Sequence, residues 1–262
     1  MQESALLCCN DLLMLKKERQ SYILHQVKLH NKVLSTDLSM QMGVSDDTIR
    51  RDLQELALSG MLIKVHGGPL SQSFYSGPAE TKNIYSYDKK RIIAEKAVSL
   101  IKDGMFVLTS GGTTILEMAR ALPPDLHATF ISCSLPAVLE YANHPNIEVI
   151  MVGDKVSKNS RFTAGPDAIA RIRQVKCDLC FLGVNAIDAV NGISDNDWDV
   201  VQVKKAMIDS AHKVVCLSIS EKVNTQQPIH VCATHQIHTL VTERQPNDDL
   251  LQPYRDTGIE VI

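Results

Sequence analysis

Two groups of residues in this sequence have the types and spacing to do chemistry. The first lies in Gly43-Val-Ser-Asp-Asp-Thr-Ile-Arg-Arg-Asp-Leu53. Ser45 is a good helix N-cap, and Asp46 and Asp47 fall in the first turn, where the helix dipole favours negative charge. Ile49, Leu53, Leu56 and Ala57 then share one face at helical spacing and are expected to be buried. Thr48, Arg50, Arg51 and Gln54 are left to point outward, and arginine can pair bidentately with guanine or clamp a phosphate. Upstream, Ser35 or Thr36 can cap a preceding helix that carries Leu38 and Met42. Ser39 is small enough for two helices to cross closely, and Gly43 can take the positive φ of a tight turn. This is the pattern of a helix-turn-helix whose second helix enters the major groove, with Ser45, Asp47, Thr48, Arg50 and Arg51 as DNA-contacting candidates. An ordinary amphipathic helix pair with a solvated charged face has the same spacing, so spacing alone leaves both readings open.

The second group is spread over four segments in the C-terminal two thirds of the chain. Ser110-Gly111-Gly112-Thr113-Thr114 joins an apolar run to a helical pattern. Glycines let backbone N–H groups approach an anion, the hydroxyls add donors, and the following helix presents its positive end. Ser132-Cys133-Ser134, Gly183-Val184-Asn185-Ala186 and the pair Lys204-Lys205 occupy similar positions. Each alone is a weak signal. Together they outline a pocket for a phosphate and its hydroxyl-bearing carbon skeleton.

These residues must be positioned by regular elements. Ile23, Leu24 and Val27 give a first helix from Lys17 to about His30. After the second helix of the pair, Met61-Leu-Ile-Lys-Val-His-Gly-Gly68 reads as a two-stranded wing turning around Gly60 to Ile63. Lys64 and His66 on it are candidates for phosphate contact, which positions a protein on DNA without specifying sequence; ordinary exposed strand residues fit equally. Pro69 to Ser86 has Pro, Gly and Ser without a period and reads as a linker. An amphipathic helix is expected from Tyr85 to Leu100 through Ile92, Ile93, Ala97 and Leu100. Strand-like runs (MFVLT, ATFIS, IEVIMVG, DLCFLGV, KVVCLSI, TLVTE and IEVI) then alternate with helical patterns. That alternation predicts an α/β domain with a mostly parallel sheet covered on both faces. Residues 1–13 precede all of these patterns.

Composition excludes several classes. The chain has 262 residues, is 44% hydrophobic and 22% charged, and is long enough for two domains. It has no apolar run near the roughly 18 residues of a spanning helix and no signal-peptide pattern, so a cytoplasmic protein without a membrane partner is expected. The formal charge is −3, but Met14 to Gly68 holds eight Lys/Arg against six Asp/Glu, a faintly basic head on an acidic body. Seven cysteines in apolar segments suit reduced core thiols. Cys177-Asp-Leu-Cys180 lies in a strand-like run with no second pair or histidine at zinc spacing, so no metal and no cofactor is expected.

The stretch from Lys16 to Gly68, with ERQSYIL, GVSDDTIRRDLQELALSGML and KVHGG, resembles the winged helix-turn-helix of the DeoR family of bacterial transcriptional regulators. The resemblance continues to about residue 245. It implies a DNA-binding domain over 14–68, a linker over 69–86 and an effector domain over 87–262 that is similar in fold to ribose-5-phosphate isomerase. It also implies a repressor of carbohydrate-metabolism genes, relieved by a phosphorylated sugar. Ser110 to Thr114 would cradle the phosphate with Ser134 nearby, Lys204 would be a second anionic contact, and Asn185 with Asp195 to Asp197, above all Asp197, would read sugar hydroxyls. The sequence departs from the family pattern in places. Thr109 and Gly112 stand where many members have Asp and Thr or Ser, Cys133 replaces an Asn, and Ile219-Ser220-Glu221-Lys222 replaces Asp-Ser-Ser-Lys.

Two other functions compete with this reading. Isomerases of that fold carry an acidic D-G-A-D-E loop, whereas Leu182-Gly183-Val184-Asn185-Ala186 here has no carboxylate, which argues against an isomerase with an appended DNA-binding head. A metabolite-binding protein whose helix-turn-helix serves only protein contact is the third reading. A palindromic or repeated operator on double-stranded DNA implies a homo-oligomer, dimer or tetramer, because one small head buries too little surface for tight specific binding.

Overall fold

The computed structural model describes residues 14–65, 67–72, 84–158 and 160–262, and His66 of the candidate DNA contacts lies outside them. The chain divides into two compact units between Ser71 and Gln72.

The first unit holds α1 (Lys16–His30), α2 (Ser35–Met42), α3 (Asp46–Leu58), β1 (Ile63–Val65) and β2 (Gly68–Leu70). Its core is Ile23, Val27, Val33, Leu38, Ile49, Leu53, Leu56 and Leu62, with Leu24, Met42 and Ala57 half-buried against it. Gly43 takes a φ of 61° between α2 and α3, and the Ser39 hydroxyl donates to the Val44 carbonyl at 2.7 Å. Neither Ser35 nor Thr36 caps α2: both are inside it, and the cap position is Leu34. The wing also differs from the expected one. β1 pairs antiparallel with β2 through Ile63–Leu70 and Val65–Gly68, so the chain turns after Val65 and not around Gly60. The "linker" residues Pro69 and Leu70 are therefore strand. A third extended segment joins them: Val33 N donates to Pro69 O at 3.3 Å and Ser35 N to Gly67 O at 3.0 Å. This pulls the backbone of Gly68 onto Val33.

The second unit runs through α4 (Tyr87–Val98), β3 (Phe106–Thr109), α5 (Thr113–Arg120), β4 (Thr129–Ser132), α6 (Leu135–Ala142), β5 (Glu148–Met151), β6 (Val156–Ser157), β7 (Phe162–Thr163) and α7 (Pro166–Ile172). It continues with β8 (Cys177–Gly183), β9 (Ala186–Asp188), β10 (Gly192–Asp195), α8 (Trp198–Asp209), β11 (Ala211–Leu217), β12 (Ile229–Cys232), β13 (Thr239–Val241), α9 (Gln252–Asp256) and β14 (Glu260–Val261). Seven strands form one sheet in the order β14-β13-β11-β8-β3-β4-β5, and every pairing in it is parallel. Successive strand side chains face opposite ways. Leu108, Cys180, Leu182, Val214 and Cys216 pack with Ala168, Ile172, Val203 and Met207 of α7 and α8. Val107, Phe181 and Val215 between them are equally buried and face the other layer. Ile92 of α4, expected inside, is exposed; the buried stripe of that helix is Lys90, Ile93, Ala94 and Ala97.

Two features lie outside the simple alternation. β6 and β7 form a hairpin, and β12, β10 and β9 form a small antiparallel sheet. Both elements are made of strands of two to four residues, too short for an apolar period to register.

The sheet order also points to a candidate site. The chain leaves β3 towards β4 and β5, then returns to lay β8 on the other side of β3. Ligands of such sheets bind where the order reverses, outside the carboxyl ends of the strands. Here that is the junction of Ser110–Gly112 with Gly183–Asn185.

A Cβ on Gly68 would sit 2.0 Å from the Val33 carbonyl oxygen, backbone against backbone. Gly68→Ala is expected to destabilise the first unit by roughly 2 kcal/mol or more in denaturant unfolding. Wild-type stability of that variant would mean the wing does not pack on residues 33–35.

Candidate functional site

The first unit presents one face of α3. Ser45 caps the helix, its Oγ accepting from Thr48 N at 3.3 Å and lying 3.0 Å from Thr48 Oγ1. Behind the helix, Asp52 is 1% exposed and forms a buried ion pair with Arg19 of α1, reinforced by Gln20 at 3.4 Å. Lys16 and Gln20 hold Glu55 at 2.7 and 2.9 Å. These polar ties act together with Ile49 and Leu53 and fix the rotation of α3 about its axis. Arg50, Arg51 and Gln54 consequently point to solvent. Arg50 lies 3.3 Å from Asp47 in a fully solvated pair worth little, so it can be exchanged for a phosphate or base. Among the described residues, Arg51 makes no ion pair. Lys64 of β1 reaches Gln54 at 2.9 Å, so one wing strand lies beside the same helix face. Ser45, Asp47, Thr48, Arg50, Arg51 and Lys64 thus share one surface.

The second unit builds its site at the reversal between β3 and β8. Ser110 N donates to Phe181 O at 3.0 Å, and the Ser110 hydroxyl accepts from Gly183 N at 2.9 Å. Ser110 is therefore a clasp between the two strand ends. A Cβ on Gly183 would lie 2.7 Å from the Gly111 carbonyl oxygen, so this approach needs glycine. Gly112, at φ 114°, occupies the N-cap position of α5, and a Cβ there would meet nothing within 4 Å. Its outer face is open, and among the described residues the first-turn amides of Thr113, Thr114 and Ile115 donate to no backbone carbonyl, the geometry that binds anions at helix starts. Ser134 comes to the same place: its Oγ would be 3.4 Å from a Cβ on Gly111, and Phe162 of the β6–β7 hairpin closes the side. Thr109 turns away from the opening, its hydroxyl accepting from Tyr141 at 3.3 Å inside the core.

Lys204 and Asn185 meet, but over Asp195 and not Asp197. The Lys204 ammonium donates to Asp195 Oδ2 at 2.6 Å and to Gly183 O at 2.9 Å; Asn185 Nδ2 donates to Asp195 Oδ1 at 2.7 Å. Burial opposes ionisation of Asp195, but the Lys204 charge and these hydrogen bonds outweigh it and hold the carboxyl below the usual range. Lys204 is thus committed to orienting the loop after β8. Asp197 instead caps α8, accepting from Val200 N at 3.4 Å.

Two lysines escaped the sequence reading. Lys222, in a 3-10 turn (Ser220–Lys222) just past β11, is 8% exposed and donates to Val184 O at 3.0 Å. Burial pushes its pKa down to about 8, with the Lys204 charge adding to that and Asp195 opposing it. Lys90 is 5% exposed, on the buried stripe of α4. A lysine in register with Ile93, Ala94 and Ala97 was the available signal, as was a lysine directly after a buried strand. A depression of about 380 Å³ lined by Lys213, His235, His238, Thr239 and Glu260 opens at the opposite, amino end of β11, β13 and β14, away from this chemistry.

The five described cysteines are buried free thiols. Cys177 and Cys180 alternate across β8, so their side chains diverge, and burial raises both thiol pKa values, Cys177 to about 11. No group of three or more metal-competent side chains exists among the described residues. No described helix is long and apolar enough to cross a membrane.

Known proteins share both units. A family model for the DeoR-like helix-turn-helix domain matches residues 19–73, and one for the DeoR C terminal sensor domain matches residues 85–244. The HTH-type transcriptional regulator GolR of Listeria innocua is 29% identical over 247 residues, covering 93% of this chain and 97% of its own. GlpR of Haloferax volcanii is 28% identical over 251 residues (95% and 98%), and the glycerol-3-phosphate regulon repressor of Escherichia coli is 24% identical over 249 (95% and 99%). Among solved structures, ribose 5-phosphate isomerase A of Methanocaldococcus jannaschii overlaps 53% of this chain and 55% of its own, at 19% identity and a TM-score of 0.40.

Lys204→Met would leave Asp195 buried without its cation, at a cost of about 3 kcal/mol near neutral pH. In the wild type the depressed carboxyl contributes stability that is present above about pH 4 and lost as pH falls through the folded value. In the variant, burial raises the carboxyl, so acid relieves the penalty. Urea unfolding should therefore show a gap between the two proteins that is widest at pH 7 and narrows towards pH 4. A constant gap would mean that Asp195 is not the group that Lys204 neutralises.

Proposed function

Because this chain belongs to the DeoR family of DNA-binding transcriptional regulators, we propose that it represses carbohydrate-metabolism genes until a phosphorylated sugar or related metabolite occupies the second unit. The observation that carries the DNA half is the solvent-facing set Arg50, Arg51 and Gln54, with Thr48 half-buried beside it, on a helix whose other face is locked. Arginines held on such a helix read guanine edges or fix phosphates, and Lys64 on the wing strand adds a phosphate contact. The effector half is supported by the Gly112 opening, the free amides that start α5 and the lysines behind Gly183 and Val184. The relative named as a glycerol-3-phosphate regulon repressor fits a phosphorylated ligand.

Catalysis does not belong to this reading. Proton abstraction from a sugar phosphate needs an available carboxylate base. The loop after β8 offers only Asn185, and Asp195 is consumed by Lys204. In the mechanism we infer, the metabolite binds one arrangement of paired chains better than the other. It thereby changes the spacing of two heads on a palindromic or repeated operator, by no more than its differential affinity permits. A dimer or tetramer in the cytoplasm is part of the same proposal.

Fluorescence anisotropy on a labelled duplex from upstream of this protein's own operon, at moderate salt, tests both halves. Tight binding relieved by a pool of sugar phosphates is expected. Arg50→Ala and Arg51→Ala should each weaken binding about tenfold or more, and isomerisation of ribose 5-phosphate should stay at the background rate. DNA affinity unchanged in the double arginine variant would overturn the DNA-reading role of α3.

A further inference from the structure

Two lysines bind the carboxyl end of β8, a third, Lys90, lies within electrostatic reach of Lys222, and their partners are unequal. Lys204 has Asp195 and the Gly183 carbonyl, and Lys222 has the Val184 carbonyl. Lys90 is as buried as either, yet among the described residues its ammonium donates no hydrogen bond; it lies over the Tyr85 ring, 5.9 Å from the centroid. The charged groups that face it come from each element packed on α4. From α5 there is Glu117, but that carboxylate is bound by Arg120 at 2.8 Å. From the turn after β11 there are Lys222, a like charge, and Glu221, which Lys89 takes at 2.6 Å. Glu243, beyond β13, is engaged by Ser220 and lies 3.6 Å from Lys89. Every nearby carboxylate thus has another cation in contact with it, and Lys90 is the buried amine left over.

An ammonium in such a place costs free energy unless something brings an acceptor. We propose that Lys90 is the proton-coupled contact of the effector site: it is stored as a neutral amine beside Lys222, and it takes one proton from solvent onto Nζ when a phosphate-class dianion enters at this edge of the sheet. The proposal rests on the reading of this edge as the effector site. Only an N–H bond forms, and the proton comes from water or buffer. Burial, with the Lys222 charge adding to it, is consistent with storage as the amine, since it brings the Lys90 pKa down to about 7. Effector binding is then weakened by alkaline pH, and any repression it relieves responds to pH as well as to the metabolite.

Sulfate is the clean probe, because it stays a dianion across the range in which Lys90 titrates. Calorimetric titration of the full chain with sulfate at pH 7.5, in two buffers of different ionisation enthalpy, should show uptake of roughly three-quarters of a proton per chain for a group titrating at about 7. Affinity should be about eightfold weaker at pH 8 than at pH 6.5, from the falling fraction of charged Lys90. Lys90→Met should remove most of the uptake, leaving at most about a quarter of a proton from Lys222. Lys90→Arg, charged throughout, should bind sulfate with only that residue of uptake and with most of the pH slope gone, and it serves where the Met variant does not fold. Saturable sulfate binding with no proton uptake in the wild type would overturn the coupling and leave the anion site standing. Uptake undiminished in Lys90→Met would assign the proton to another group, Lys222 first, and overturn the proposal equally. No saturable binding of either sulfate or glycerol 3-phosphate would remove the effector reading and the proposal with it.

Discussion

A buried ammonium needs an acceptor, and the carboxyl edge of the sheet is arranged around that constraint. Lys204 satisfies it with Asp195 and the Gly183 carbonyl, and Asn185 then satisfies the second oxygen of Asp195. The loop after β8 is thereby held where Gly183 can touch Gly111, and the Ser110 hydroxyl fastens the two strand ends together. A side chain at position 183, or an uncharged residue at 204, would open the reversal point of the sheet order. The pair contributes little as an isolated ion pair, since burial offsets much of its attraction. Its effect is positional: it gives one conformation to a loop that glycine would otherwise leave with several.

The first unit solves a different problem with the same means. A recognition helix must present a fixed face, and apolar packing of Ile49 and Leu53 alone would tolerate some rotation about the helix axis. The buried Asp52–Arg19 pair removes that freedom, because a carboxylate 1% exposed cannot rotate away from its guanidinium without a large desolvation cost. Arg50 and Arg51, on either side of the opposite face, inherit the direction Asp52 sets. If α3 reads DNA as proposed, Asp52 matters to that reading through the helix it orients.

Much of this was legible in the chain, for physical reasons that differ by element. The α3 face followed from 3.6-residue periodicity and a capping serine, and the parallel sheet followed from apolar runs alternating with helices. The wing was placed one turn too early because Gly60 is as good a turn residue as Gly67; the distinction lies in the pairing of Pro69 and Gly67 with Val33 and Ser35, a contact more than thirty residues apart in sequence. Lys90 was missed for the opposite reason. Its neighbours Ile92 and Ile93 suggested a stripe one residue out of phase, and a lysine on an apolar face is usually a solvated one. Asp195 and Asp197 are two residues apart, and only the fold decides that the first meets Lys204 and the second caps α8.

The departures at Thr109, Gly112 and Cys133 bear on recognition in a specific way. Thr109 spends its hydroxyl on Tyr141, and the Cys133 backbone carbonyl accepts from Thr163 while its thiol is buried. Neither side chain is offered to a ligand. What remains at the opening is backbone: the amides that begin α5 and the unobstructed face of Gly112. Backbone donors do not depend on side-chain identity, so an anion cradle survives these replacements while side-chain hydroxyl reading does not. In the proposed effector reading, charge then carries more of the discrimination, and it would come from Lys222 and from Lys90 once protonated, since Lys204 is neutralised by Asp195. Under the proposed effector reading, a site so built would select the anionic end of its ligand more sharply than the carbon skeleton behind it.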